Sequence, residues 1–369
     1  MKEKTKRLLG RTLGWGAAVL LAVGAGVQAD QFGLTEGKLE LQSANVLAFG
    51  PDGILFVGDA KAAKIYAVQT GDKPGDATKV TQDMDDVAGQ IGKKLGATKT
   101  EIIDLAVNPL SGHLFVSVTA DGAAKIVEMD GKGAIAPLSL DKIAHAKLDI
   151  PNAPEDKVVG EGRRARNNRM NSVTDLAFVE GKLLVSGIGS GETPSTVRSF
   201  DFPFNDKIAA TGLEIYHGAH GQLENYAPIR TFVPFIINGE PNVLAGFVCT
   251  PLVKFPVSAI AGGTQVKGTT VAELGNRNQP IDMIAYKKDG QDFLLLANSA
   301  RGVMKISTDD LDRAAGIEAP VGGGGTAGQK FETLAEWKGV VQLERLTETH
   351  AVVLATTDGR SDLKTMVLP

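Results

Sequence analysis

The sequence predicts an all-β fold: about six four-stranded units closed into a ring. Three observations carry that expectation. The stretch Ala48–Val68, AFGPDGILFVGDAKAAKIYAV, reads as three apolar runs separated by a Pro-Asp-Gly turn and a small-residue loop. A link of about two to four residues is too short for a helical crossover, so the first two runs must pair as an antiparallel hairpin. The same grammar then recurs down the chain. Finally, 44 glycines beside only 5% aromatics in 369 residues suit many short strands joined by tight turns.

The elements follow in order. Residues 1–29 carry Lys2, Lys4, Lys6, Arg7 and Arg11, then the short apolar run Trp15–Val23, then Val27-Gln28-Ala29 before Asp30. That is the pattern of a secretory signal peptide, its apolar core too short for a comfortable span; an uncleaved N-terminal anchor is the competing reading. Residues 30–369 are expected to form one exported domain, periplasmic or secreted. In it the first hairpin returns as Ile102–Ser117, Val173–Ser186 and Ile281–Leu296, with more divergent copies at Ile229–Val257 and Val341–Leu368. Third strands are expected at Lys64–Gln69, Lys125–Met129, Thr196–Asp201 and Gly302–Ser307. Fourth, edge-like strands are expected at Thr78–Gln82, Leu213–His217, Thr269–Leu274 and Phe331–Trp337.

A four-stranded sheet cannot hide both of its faces alone; stacking sheets around an axis does so, which is the logic of a β-propeller. Gly37–Gln42 has no hairpin of its own and is expected to be the outer strand of the last blade, closing the ring and removing an open edge. A β-sandwich or β-helix is the competing architecture.

Charge and cysteine content narrow the function. The net charge of -4 includes a cationic leader, so the mature chain is more acidic still, about −8, which speaks against a nucleic-acid partner. After leader removal no segment approaches the ~20 apolar residues of a membrane span. The single Cys249 excludes an intrachain disulfide, leaving stability to packing.

The motifs DLAF at Asp175–Phe178, FGPDG at Phe49–Gly53, and LFVGD or LFVSV after the turns resemble those of the NHL-repeat and gluconolactonase-like six-bladed propellers. The resemblance covers most of the mature chain and rests on blade motifs. It implies, for the calcium-dependent lactonase branch, metal ligands from a Glu, an Asn and an Asp at inner-strand tops. Asn45, Asp104, Asp175 and Asp282 are the inner-strand acids and amides available here, and no Glu stands at a matching early position.

Loops locate the site. Turns between first and second strands are short and polar, whereas three crossings on the opposite face are long: Asp83–Glu101, in which Val87–Leu95 could form a short helix, Asp141–Ser172 and His217–Ala227. Compact domains keep long connections mainly where they bind or cover something, so a site is expected at the channel mouth on that face. His217 and His220, followed by Glu224, offer imidazole and carboxylate donors suited to zinc or copper. Gly218 and Gly221 disfavour a helix there, so the spacing alone does not bring both rings to one side. Cys249-Thr250, at a strand tip, adds a thiol that could join a metal. The run Arg163–Asn171, with Arg166 and Asn171, and Arg230 at the start of an inner strand offer guanidinium forks for carboxylate or phosphate.

Two classes of function remain open from sequence. One is a ring that binds a small anion or a periplasmic protein partner. The other is a metal-dependent protein, either a hydrolase resembling the lactonases or an accessory of a periplasmic copper or redox system, with calcium, zinc or copper as the ion.

Overall fold

The structure is a computed structural model that describes residues 31–369 except 163, 164 and 314; the expected signal peptide at residues 1–29 and the first two arginines of the 163–169 run lie outside the described residues. Six sheets of mainly antiparallel strands make the blades of a β-propeller. Numbered by their inner strands in chain order, the blades begin at Val46, Thr100, Asp175, Ile229, Pro280 and Val340.

The apolar middle strands explain why the blades stack. Ile54–Asp59, ILFVGD, is buried at every position, because a middle strand is covered on both faces. Side chains alternate across a strand, and the two sets go to two different interfaces. Leu55 and Val57 pack with Phe115 and Ile126 of blade two. Ile54 and Phe56 pack with Val173, Leu183 and Val185 of blade three.

That division fixes the order of the ring, and it is not the order of the chain. Blade one lies between blades two and three, while a core shared by Leu114, Val116, Val352 and Leu354 joins blade two to blade six. Around the axis the blades therefore run two, one, three, four, five, six.

The chain reaches this order by leaving blade one unfinished. After Lys64–Gln69 it builds all of blade two, then returns with Ile143–Asp149 as the fourth strand of blade one. Thr78–Gln82, expected to be that fourth strand, is instead a short 3-10 turn at Ala77–Lys79, capped by Asp76, and the coil after it. Pro74 and Gly75 precede the turn, and proline has no N–H to give to a ladder. Phe331–Trp337 is likewise shorter than expected, a strand at Phe331–Thr333 followed by a 3-10 turn at Ala335–Trp337.

Ring closure also differs from the expectation that Gly37–Gln42 would edge the last blade. Thr35–Gly37 pairs with Ile143–His145, at the outer edge of blade one, because the returning strand leaves an open edge there. Blade six is sealed by the segment before the helix instead. Met84 and Leu363 exchange both backbone hydrogen bonds, at 3.0 and 2.9 Å. Gln82 N donates to Thr365 Oγ1 at 2.7 Å, and Asp86 N donates to Asp362 Oδ1 at 2.9 Å. The helix Val87–Leu95 forms where expected; it buries Val87 and Ile91 against the seam of blades two and six and ends at Gly96, whose φ is 69°. No helix among the described residues is long and apolar enough to cross a membrane.

Candidate metal centre and ligand cavity

A cavity of about 860 Å³ opens on the face that carries the long crossings, over blades three and four. His217, His220, Glu224, Arg230, Arg166 and Asn171 all line it. Cys249, Thr250, Asp104, Asp175 and Asp282 do not.

A hairpin brings the histidines together. Ile208–His217 ends in a turn whose Gly221 N donates to His217 O at 2.8 Å, and Gln222–Glu224 folds back on Ile215–His217. The turn needs its glycine at 218: a Cβ there would stand 2.8 Å from Val321 Cγ2. Glu224 then reaches both rings, with Oε2 2.9 Å from His217 Nδ1 and Oε1 2.6 Å from His220 Nδ1. An ionised carboxylate can only accept, so each Nδ1 carries a proton, which leaves Nε2 as the lone-pair nitrogen of the neutral imidazole. Burial pushes the Glu224 carboxyl up, but hydrogen bonds from His217, His220 and Tyr226 more than offset this and hold it at about 2.

Cys249 meets this pair from blade four. One donor atom from each of His217, His220 and Cys249 lies within 4.8 Å of the other two. The approach depends on an unusual backbone, since Cys249 and Thr250 both take left-handed φ values, 64° and 54°. Such conformations cost on the order of 1–3 kcal/mol each in a non-glycine residue and persist only where the surroundings hold them. Here Cys249 N donates to Asn278 O at 2.9 Å, and Thr250 Oγ1 donates to Gly275 O at 2.8 Å. Thr250 is thus buried and bonded to Gly275 rather than facing the cavity.

No family model matches the chain, and no curated protein matches it. Among solved structures it is similar to the β-propeller domain of Cps50 (Swd1) from Myceliophteria thermophila, at 10% identity over 88% of this chain and 84% of that one, with a TM-score of 0.37. It is also similar to the apo-form soluble aldose sugar dehydrogenase of Escherichia coli, at 12% identity over 91% of this chain and 100% of that one, with a TM-score of 0.34. The PQQ-bound aldose sugar dehydrogenase of Streptomyces coelicolor is similar at 12% identity over 90% and 97%, with a TM-score of 0.28. At that level the likeness says nothing of what this cavity holds.

The inner-strand acids serve the ring. Asp104 Oδ2 accepts from Leu47 N, Asp175 Oδ2 from Phe232 N and Asp282 Oδ2 from Leu343 N, each at 2.7 Å and each across a blade seam. Asn45 Oδ1 accepts from Ala60 N at 3.2 Å. Burial raises all three carboxyls, Asp104 well above its ordinary range, Asp175 to about 7 and Asp282 to about 6. A carboxyl that holds its proton more tightly in the folded ring than in the unfolded chain favours folding when protonated. Its contribution is complete below about pH 4 and is lost as pH rises through the folded value. The melting temperature is therefore expected to fall by a few degrees between about pH 5 and pH 8. Thermal melts of Asp175→Asn should show a shallower fall; an unchanged slope would count against Asp175.

Arg198 was not legible as a site residue, yet it shapes the cavity. Fully buried, it donates to Pro151 O, Ser172 O and Ile188 O at 3.0, 3.2 and 3.2 Å. These carbonyls belong to three segments that wall or flank the cavity. Burial lowers its pKa to about 10, leaving it charged at neutral pH.

Proposed function

We propose that this protein is an exported propeller that holds one zinc or copper ion on His217, His220 and Cys249, with Glu224 orienting both imidazoles. The observation that carries the reading is the buried His217 Nε2, which has no hydrogen-bond partner beside two other donors. An unpartnered buried polar atom is costly, and an ion would satisfy it. Two imidazoles and a thiolate suit zinc or copper rather than calcium, which takes oxygen ligands. The carboxylate behind each imidazole is the usual partner of a metal-bound histidine, fixing its tautomer and ring orientation. Three protein ligands would leave a tetrahedral ion one position for water or a small ligand. The basic and apolar leader supports export.

Elemental analysis of protein purified without chelator tests this. Near-stoichiometric zinc or copper is expected, and His217→Ala and Cys249→Ala should each lower ion affinity at least about tenfold. The copper(II)-loaded protein should show a sulfur-to-copper charge-transfer band that Cys249→Ser removes. Folded wild-type protein that takes up neither ion at one equivalent would overturn the reading.

A further inference from the structure

We propose that the cavity binds a small ligand bearing a carboxylate or phosphate group, anchored by Arg230. The inference stands on Arg230 and its neighbours and does not depend on the metal.

Arg230 is placed by a β-bulge. In the pairing of blade four, Ile229 stands opposite Phe247 and Thr231 opposite Gly246, so Arg230 is the extra residue. Bulges re-aim a side chain and are common beside functional sites. The inner strands of blades two, five and six have the same irregularity, which leaves Ile103, Ile281 and Val341 as the corresponding residues. All three are apolar, so the ring does not require a cation there.

The guanidinium is also poorly satisfied. Its Nε is buried with no hydrogen bond, and its Nη1 makes only a long 3.4 Å contact to Asn171 Oδ1. No carboxylate among the described residues forms an ion pair with it. The two acids lining the cavity are engaged elsewhere: Glu155 pairs with Lys157, and Glu224 holds the histidines. Arg166 adds positive charge to the lining, and Asn168 and Ser190 add polar groups. A planar fork with a free buried donor on a half-buried side chain matches a carboxylate or phosphate in paired hydrogen bonds. A volume of about 860 Å³ admits a small molecule.

Thermal shift and calorimetry with inorganic phosphate, succinate and citrate test this, against glucose and against chloride at matched ionic strength. At least one anion should raise the melting temperature with saturation, while glucose should not. The phosphate and carboxylate arms identify the group preferred. Arg230→Ala should weaken that binding at least about tenfold, with Arg230→Lys intermediate, and circular dichroism should show both variants folded. Metal content, measured on the same samples, is expected to be unchanged, which separates this inference from the metal reading. No saturable shift with any of the three anions, or equal binding by Arg230→Ala, would overturn it.

Discussion

Arg198→Met is expected to lower stability by about 3 kcal/mol, because it leaves three buried carbonyls without a donor. The acceptors, Pro151 O, Ser172 O and Ile188 O, lie in three segments that meet at one guanidinium. Methionine fills much of the volume and removes the cost of burying a charge, so the loss falls mainly on hydrogen bonding. Arg198→Lys keeps the charge but presents a point donor where a rigid fork is needed, and should recover only part. Denaturant unfolding monitored by circular dichroism gives the comparison through the midpoint at constant slope. Equal midpoints for wild type and Arg198→Met would show that the three carbonyls find other donors.

Phe56→Ala is expected to cost about 3–5 kcal/mol, the range for deleting a large aromatic side chain from a packed core. Phe56 is fully buried and touches Phe178, Phe202 and Phe204 with ring centroids 5.9, 5.0 and 6.1 Å away. The cavity would open between blades one and three, on an interface that chain order does not suggest. Phe49, also in blade one, packs on Phe115 of blade two. It is only partly buried, so Phe49→Ala should cost less. Unfolding midpoints of the two variants check the difference; a larger loss for Phe49→Ala would reverse the assignment.

Much of the ring was legible because its signals are local. A Pro-Asp-Gly turn between two apolar runs forces a hairpin wherever it occurs, and uniformly apolar strands such as ILFVGD declare that both faces are covered. Edge strands carry no such address. The alternation in Ile143–Asp149, IAHAKLD, would suit the edge of any blade, and its partner is chosen by a pairing that links Lys64 to Asp149. The same limit applies to the site. His217, His220 and Glu224 were readable as donors, but their convergence depends on a return strand of three residues. The approach of Cys249 depends on two left-handed residues that composition does not reveal. Arg198 was missed because it sits within Ser195–Asp201, where the neighbouring residues read as an ordinary buried strand.

The interlaced path of the first two blades has a consequence for synthesis. A ribosome delivers the N-terminus first, yet blade one lacks its fourth strand until residue 149 has emerged, 85 positions after Lys64. The final seam waits longer, since Gln82 meets Thr365 across 283 positions. A nascent chain therefore carries exposed strand edges through most of translation, which favours late, slow assembly and a need for protection from aggregation.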